Sequence, residues 1–303
     1  MNVPSKDKQL RTSEKTLKEF EQNTDNSGYG CLYVVATPIG NLDDISDRMR
    51  QTLAKVSKIA AEDTRRTRQL LSHIGVDTPC FSLHDHNERQ KLDSIVHQLK
   101  SGESIALVSD AGTPLISDPG YPLVARLRAE SIKVIPIPGP CALIAALSVA
   151  GLPSDRFIFE GFLAAKPKAR QLTLERLKEE TATLIFYESS HRIKASLADM
   201  AKVFGPERRV VIARELTKTF ETLLDASLSD LITRLDVDAN QSKGEFVVMV
   251  KGAEKNKLCI SPEAIKLAEL LTDYLPGKQA AKIAAEFFGE KKNQLYNHLL
   301  DQK

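Results

Sequence analysis

The sequence predicts an α/β fold with two α/β domains, the first on a mostly parallel sheet and the second on a mixed sheet, followed by a small helical domain. From Cys31 onward, short apolar runs alternate with segments of helical apolar spacing, which is typical of βαβ units. From Phe157 onward, several apolar runs follow one another too closely for intervening helices, which indicates a mixed sheet. After Gly252 the composition shifts to Ala, Lys, Leu and Glu without a strand-like run.

The chain length sets the expected number of domains. At roughly 100–200 residues per domain, 303 residues make two domains and an appendage. The first 28 residues are polar with few apolar positions, so burial cannot repay their ordering entropy and we expect a disordered tail. The predicted ranges are a tail at 1–28, a first α/β domain at 29–145, a second at 146–252, and a linker with a helical domain at 253–303.

Composition narrows the class of protein. The four cysteines at positions 31, 80, 141 and 259 contain no CxxC pair, which argues against a disulfide scaffold or a zinc ribbon and predicts a reduced, cytoplasmic protein without a metal site. The longest apolar stretch, residues 141–152, is too short to span a membrane. The net charge of +2 neither requires nor excludes nucleic acid as a partner.

The first predicted strand ends in VATPIGNLDDIS, residues 35–46. A loop with Pro38 and Gly40 at a strand end suits a ligand that contacts the backbone. The nearby GxG of Gly28 and Gly30 precedes the strand, so the dinucleotide fingerprint is absent, and Gln279 after Lys278 breaks the phosphate-loop pattern. A nucleotide triphosphatase is therefore not indicated.

Two polar segments follow the next predicted strands. EDTRRTR, residues 62–68, places arginines at a helix N-terminus, where they oppose the helix dipole; this favours an anion such as an RNA phosphate, and surface ion pairs with Glu62 or Asp63 are the structural alternative. LHDHNE, residues 83–88, is a poor zinc signature. It either caps the next helix through Asp85 or Asn87 or forms an active-site wall beside the arginines.

The segment SDAGTPLISDPG, residues 109–120, follows an apolar run at 104–108. The carboxyl ends of parallel strands are where open α/β sheets bind ligands. Gly112 and Gly120 permit unusual backbone geometry, and the two prolines stiffen the loop. A tight connection with Asp118 capping the following helix is the structural alternative for its second half. We expect the chemistry at this junction.

The second domain supplies further polar strand ends. FYESSHR, residues 186–192, holds Glu188 beside His191 and Arg192, and ARELTKTFE, residues 213–221, ends another strand. The segment IPGPCALIAALSVAG, residues 137–151, leads to a helix whose N-terminus faces the same crevice. Ion pairs explain each polar cluster singly, whereas all of them together favour a site between the two domains.

The C-terminal segment predicts two helices around Gly289, with Lys291 and Lys292 opening the second. This spacing matches a helix-turn-helix that presents basic residues to nucleic acid. A small three-helix module for protein contacts is the alternative.

Seven strings occur in order across residues 31–252: VATPIGNLDDIS, AEDTRRTRQLL, SDAGTPLISDPG, IPGPCALIAAL, FYESSHRI, ARELTKTFE and KGEFVVMV. Together they resemble the tetrapyrrole methylase-like superfamily and, within it, the ribosomal RNA small subunit methyltransferase I family. The C-terminal segment resembles the helix-turn-helix of that family.

The resemblance implies a homodimeric enzyme that binds S-adenosylmethionine between its two α/β domains. It implies methylation of the 2′-hydroxyl of a cytidine in the decoding region of 16S ribosomal RNA, with free RNA or the small ribosomal subunit as the partner and no membrane. Its motifs place the following residues around the methyl donor: Pro38, Gly40, Asp110, Ala111, Gly112, Thr113, Ile116, Cys141, Ala142, Phe186 and Ala213.

Methyl transfer from a sulfonium is an in-line displacement that depends chiefly on positioning. Because a ribose hydroxyl is a weak nucleophile, a general base should help; the candidates are Asp63, His86 and Glu88, with Glu188 in reserve. Contacts to an RNA backbone are expected from basic residues spread over several loops. These residues are Arg65, Arg66, Lys166, Lys168, Arg170, Lys291 and Lys292.

Two other functions fit the same residues. One is a small-molecule methyltransferase of the same superfamily that acts on a tetrapyrrole-like ring, although such a substrate needs no arginine cluster. The other is a non-catalytic RNA-binding or assembly factor, which need not bind the methyl donor tightly.

Overall fold

The computed structural model describes residues 28–254 and 261–301. The predicted tail, apart from its last residue, and most of the predicted linker lie outside these ranges. The chain divides into a first unit that ends at Gly252 and a second that begins at Ala253. No helix within the two described ranges has the length and apolar composition needed to span a bilayer.

Five parallel strands form the first sheet. They are β1 (Leu32–Val35), β2 (Lys58–Ala61), β3 (Cys80–Ser82), β4 (Ile105–Val108) and β5 (Val134–Ile137). Their order across the sheet is β3-β2-β4-β1-β5. The helices that connect them are α1 (Asp47–Lys55), α2 (Thr64–Ile74), α3 (Glu88–Lys100) and α4 (Tyr121–Ala129), and a 3-10 turn lies at Leu42–Asp44.

Local sequence signals set these helices. The Ser46 side chain accepts a hydrogen bond from Met49 N at 3.1 Å to begin α1, and α2 ends at Gly75 with φ 69°. Apolar residues on alternate positions of each strand enter different cores, with Leu32 in one and Tyr33 in the other. Both faces of the parallel sheet are therefore covered by helices, as βαβ units require.

The second sheet is mixed, as predicted. Its strands are β6 (Phe157–Phe162), β7 (Thr183–Ser189), β8 (Arg209–Arg214), β9 (Thr222–Ser227) and β10 (Glu245–Val250), in the order β6-β7-β10-β8-β9. The β6–β7 pair is parallel and the remaining pairs are antiparallel. Its helices are α6 (Pro167–Arg176), α7 (Ile193–Phe204) and α8 (Leu228–Val237), with a 3-10 turn at Ala239–Ser242. The predicted α/β class is confirmed.

The helix α5 (Ala142–Val149) joins the two sheets. It follows β5 of the first sheet, yet its buried Leu143 and Leu147 belong to the same core as Ile185 and Val247 of the second sheet. The predicted domain boundary at residue 145 falls inside this helix. The second sheet therefore packs against a helix that directly follows the last strand of the first sheet.

The second unit consists of three helices in its described part, residues 261–301. They are α9 (Pro262–Thr272), α10 (Gly277–Phe288) and α11 (Lys292–Asp301). Gly289 ends α10 with φ 70°, the left-handed geometry that favours glycine. Buried Ala268, Ala281 and Ala284 allow close packing of the helices around Leu295. The predicted helix, glycine turn and second helix are present.

Candidate active site

A cleft of about 420 Å³ lies in the first unit, between the carboxyl ends of the parallel strands and one face of the second sheet. We call its two sides the first wall and the second wall. The first wall comprises Ile39, Glu62, Arg66, Asp110–Thr113 and Ile116–Asp118, and the second wall Phe162, Tyr187–Ser190, Ala213, Leu216 and Gly244–Val247, with Cys141 and Ala142 between them. The volume lies within the roughly 300–1,000 Å³ typical of small-molecule sites.

Backbone hydrogen bonds fix the loops of the first wall. Thr37 N donates to Gly112 O at 2.8 Å, and Gly112 N donates to Thr37 O at 3.0 Å. Thr113 Oγ1 donates to Pro140 O at 3.0 Å. The loops after β1, β4 and β5 are thereby tied together, and Gly112, with φ 83°, supplies the turn that permits this.

Both walls contain strained backbone. Ser117 of the first wall and the nearby Leu115 have φ of 70° and 73°, and Glu215 and Thr217 have φ of 50° and 66° beside the second wall. Each non-glycine residue in this region costs of order 1–3 kcal/mol, and such strain concentrates at functional sites. The strain therefore marks this cleft as the place where function constrains the backbone.

The first wall is rich in carboxylates. Asp110 N donates to Glu62 Oε2 at 3.3 Å, and Asp63 N donates to Asp110 Oδ1 at 2.9 Å. Arg66 lies 3.4 Å from Asp110 Oδ2. Burial raises the pKa of Glu62, and burial followed by the nearby Glu62 charge raises the pKa of Asp118 to about 7. The wall is suited to a cationic ligand and to proton transfer near neutral pH.

In the second wall, Tyr187 is held by packing and one hydrogen bond. Its hydroxyl accepts from Leu143 N at 3.1 Å, where α5 begins. Its ring lies edge-on to Phe159 and Phe162, with centroids 4.9 Å and 5.7 Å away. Burial raises the pKa of its hydroxyl. Tyr187 is therefore a neutral group that fixes the helix next to the cleft.

Glu188, the reserve base in the sequence analysis, is buried and fully engaged. It accepts hydrogen bonds from the Ser196 hydroxyl at 2.5 Å and from Ser189 N at 2.8 Å, and Arg192 Nε lies 3.1 Å away. It borders the cleft, but these partners occupy its oxygens. Its contacts favour a structural role.

The structure brings most of the predicted donor-binding residues to the cleft. Those that line it are Asp110, Ala111, Gly112, Thr113, Ile116, Cys141, Ala142 and Ala213. Pro38 instead lines an adjoining pocket of about 340 Å³, which shares Arg66 and Asp110 with the cleft.

Two predicted donor-binding residues lie elsewhere. A Cβ on Gly40 would come within 2.5 Å of the Lys218 side chain and 3.1 Å of Leu216 O, so Gly40 allows the two α/β domains to approach closely. The Phe186 side chain is fully buried in the core on the opposite face of the second sheet. That prediction is wrong because adjacent strand residues face opposite sides, and Tyr187 is the neighbour that faces the cleft.

The predicted catalytic residues lie around the cleft without lining it. Glu88 is 3% exposed and accepts from Gly120 N at 3.3 Å and Leu123 N at 2.9 Å. The assignment of Glu88 as a base is therefore wrong, because its carboxylate satisfies the start of α4. It also performs the capping expected of Asp118.

Asp63 and His86 take other positions. Asp63 caps α2 by accepting from Arg65 N at 2.8 Å, and its carboxylate pairs with the Arg65 guanidinium at 2.7 Å. These bonds hold the pKa of Asp63 well below its usual value, which makes it a weak base. His86 is exposed and its ring lies 6.0 Å from that of His84.

The predicted RNA-binding residues separate into accessible and buried ones. Arg170 is 3% exposed and pairs with Asp199 at 2.5 Å. Its assignment to RNA is wrong, because this guanidinium holds α6 against α7. The accessible residues are Arg65, Arg66, Lys166, Lys168 and Lys291, with Lys292 half-buried. Among them, Arg66 lies on the cleft itself.

The sequence analysis missed Asp118 and Tyr187 as cleft residues. Asp118 stood within the segment singled out for chemistry, but its position before a helix suggested a cap. Tyr187 is adjacent to Phe186 in a strand, so only one of the two side chains can face the cleft. The sequence does not show which one, because it does not give the orientation of the sheet.

Comparison with known proteins identifies relatives of both units. Residues 31–232 match the family model described as Tetrapyrrole (Corrin/Porphyrin) Methylases, and residues 260–303 match the RsmI C-terminal HTH domain. The curated Ribosomal RNA small subunit methyltransferase I of Haemophilus influenzae is 55% identical over 269 residues, covering 88% of this chain and 95% of that protein. Its counterpart from Pseudomonas aeruginosa is 53% identical over 276 residues, covering 90% and 98%.

Solved structures share the fold at low identity. The methyltransferase CobJ superimposes with a TM-score of 0.56 at 18% identity, covering 74% of this chain and 95% of that chain. Uroporphyrin-III C-methyltransferase from Thermus thermophilus, solved in complex with S-adenosyl homocysteine, superimposes with a TM-score of 0.51 at 13% identity, covering 73% and 97%. These likenesses show a shared fold.

Proposed function

The chain belongs to the ribosomal RNA small subunit methyltransferase I family, and we propose that it methylates the 2′-hydroxyl of a cytidine in the decoding region of 16S ribosomal RNA. The observation that carries this proposal is the 53% and 55% identity to curated relatives over 88% or more of the chain. A match that spans both units supports a shared substrate as well as a shared fold.

S-adenosylmethionine is the methyl donor of this family's chemistry, and the cleft fits it. When bound, it supplies an electrophilic methyl group on a positively charged sulfur. Glu62, Asp110 and Asp118 place carboxylates on one wall of a cavity of suitable size. Because burial and nearby carboxylates already raise the pKa of Glu62 and Asp118, a cationic ligand between them would be stabilised.

Residues of both walls would orient the donor. Gly112, which has no side chain, and Ala142, which has only a methyl group, let a ligand approach the backbone closely, and Ala213 does the same from β8. Tyr187 fixes the start of α5, and Phe162 contributes an aromatic edge to the second wall. The protein's contribution is thus largely positioning, which suits an in-line displacement.

The RNA would be held by accessible basic residues of both units. Arg66 stands where the cleft meets the adjoining pocket of about 340 Å³, and it can pair with a phosphate next to the acceptor ribose. Lys166 and Lys168 lie at the start of α6, and Lys291 precedes α11. Contacts to the RNA backbone that are spread in this way hold a folded RNA without reading its bases.

We also propose that the protein is a homodimer, which sedimentation equilibrium would test.

The test is methyl transfer with radiolabelled S-adenosylmethionine to naked 16S ribosomal RNA and, separately, to purified small subunits. Nuclease digestion and mass spectrometry locate the label; we expect one 2′-O-methylcytidine. Gly112→Val, which forces a branched side chain into a left-handed position 3.4 Å from Ile39, should abolish transfer and donor binding together. Label on a nucleobase, or transfer only to a tetrapyrrole, would contradict the proposal.

A further inference from the structure

We propose that Asp118 is the general base that accepts the proton of the acceptor hydroxyl during methyl transfer. This inference rests on the proposed function and deepens it. The residues that sequence reasoning suggested for this role are engaged elsewhere: Glu88 begins α4, and Asp63 begins α2 while pairing with Arg65. A base must instead be sought among the carboxylates that line the cleft.

Most carboxylates of the cleft already hold strong partners. Asp110 accepts from Asp63 N and faces Arg66, and Glu62 accepts from Asp110 N. Glu188 is buried among three donors, as described above, and Glu245 pairs with Lys218 at 2.8 Å. Asp118 lines the cleft and, among the described residues, forms no ion pair with a cationic side chain. A carboxylate that faces no cationic side chain is a stronger base than one paired with a cation.

The backbone presents Asp118 to the cleft at an energetic cost. The preceding Ser117 has φ 70°, and the following Gly120 has φ 125°. A Cβ on Gly161 of β6 would come within 3.1 Å of Ser117 Oγ, so the second domain packs against this turn. Since helix capping in this loop is performed by Glu88, capping does not explain the placement of Asp118. Strain that fixes a carboxylate in a cleft is typical of a functional site.

The charges that face Asp118 come from several elements. Burial is the main cause of its raised pKa, and the neighbouring carboxylates add to it. These groups are Glu62 after β2, Asp85 after β3 and Asp110 after β4, while Tyr187 approaches from β7 and Arg66 faces Asp110 from α2. A carboxylate with a pKa of about 7 is ionised at pH 8 and remains basic enough to accept a proton.

The acceptor 2′-oxygen forms a bond to the methyl carbon while the carbon–sulfur bond breaks, and the electron pair of that bond stays on sulfur. The hydroxyl proton passes to Asp118, which then releases it to solvent. No oxidant, reductant or further reactant is needed.

The experiment compares wild type with Asp118→Asn in single-turnover methyl transfer to RNA between pH 5.5 and 9. Asp155→Asn, an exposed aspartate outside the cleft, is the matched control. The wild-type single-turnover rate should rise with pH, with an inflection near pH 7, and the Asp118→Asn rate should be lower by at least about 100-fold with no inflection. Calorimetric binding of S-adenosylhomocysteine, which lacks the positive charge on sulfur, should be unchanged in the variant.

A second variant tests the electrostatic environment. Asp85→Asn removes a like charge near Asp118. The inflection in the plot of the single-turnover rate against pH should therefore move to lower pH, while the slope of that plot below the inflection stays the same. Wild-type transfer without an inflection between pH 5.5 and 8.5, or an Asp118→Asn rate within threefold of wild type, would overturn the role of Asp118 and leave the proposed function standing. Absence of ribose methylation by the wild type would overturn both.

Discussion

The two walls of the cleft differ in how their polar groups are held. On the first wall, backbone hydrogen bonds between Thr37 and Gly112 fix the loops, and carboxylates such as Glu62 and Asp118 remain poorly compensated, with raised pKa values. On the second wall, Glu188 is buried among donors and the Tyr187 hydroxyl is hydrogen-bonded. The same cavity thus has one wall whose charges oppose folding and another whose polar groups support it.

This difference indicates a division of work. Groups that must react or bind a cation cannot be fully paired with protein groups before the ligand binds. Such uncompensated charges lower the free energy of unfolding. Groups that only position a ligand can be satisfied completely. Substitutions that remove a polar group should therefore stabilise the protein on the first wall and destabilise it on the second.

The largest effect is expected for Glu188→Ala on the second wall. This change leaves Ser196 and Ser189 N without their acceptor and removes the carboxylate that pairs with Arg192; breaking a buried charged network costs about 3 kcal/mol or more. The free energy of unfolding from urea titration should fall by that amount, whereas Glu179→Ala, at an exposed position, should change little. Equal losses for the two variants would show that Glu188 is not held by these partners.

Glu88→Ala removes a buried carboxylate that holds the start of α4 next to the first wall. Two backbone donors at the start of α4, Gly120 N and Leu123 N, lose their acceptor, so we expect a loss of about 2 kcal/mol in the free energy of unfolding. Glu88→Gln keeps one acceptor oxygen and should lose less. If Glu88 is structural, methyl transfer per folded molecule should stay within a few-fold of wild type; a loss of 100-fold in fully folded protein would restore it as a catalytic residue.

Asp118→Asn should have the opposite sign. The pKa of Asp118 rises from 3.8 to about 7 on folding, so ionisation favours the unfolded chain increasingly from pH 4 to pH 7 and by a constant amount above that. Because the side chain is partly exposed, we expect a gain of about 1–2 kcal/mol at pH 8, a melting temperature higher by a few degrees, and almost no gain at pH 4. A gain at pH 4 as large as that at pH 8 would contradict the pKa assignment.

The sequence predicted the fold well because its short apolar runs, which alternate with helical segments, indicate strands that are buried on both faces. The loop at residues 109–120 and Cys141 with Ala142 were also placed at one cleft, since strand ends of a parallel sheet must meet at one edge. Phe186 was misassigned because the sequence does not state which face of a strand points to the cleft, and the run of buried residues from Thr183 to Phe186 hides the alternation.

Charged residues were predicted less well. Glu88 and Arg170 have the composition of surface residues, yet each is buried by a partner distant in sequence: the N-terminus of α4 for Glu88, and Asp199 for Arg170. Asp118 shows the reverse case, in which a residue suited to helix capping is left exposed to the cleft. Whether a charged residue is buried or faces the cleft depends on tertiary contacts, so the local sequence pattern alone assigns these residues the wrong role.

The smallest effect is expected for Tyr187→Phe on the second wall. Loss of the hydroxyl leaves Leu143 N at the start of α5 unsatisfied while the ring keeps its contacts with Phe159 and Phe162. We expect a loss of about 1 kcal/mol in the free energy of unfolding and a few-fold weaker binding of S-adenosylhomocysteine by calorimetry. Tyr121→Phe, at an exposed tyrosine, is the control. The rate at saturating donor should be unchanged, because the second wall positions the donor and takes no part in proton transfer; a slower rate at saturation would mean that the two walls share the chemistry.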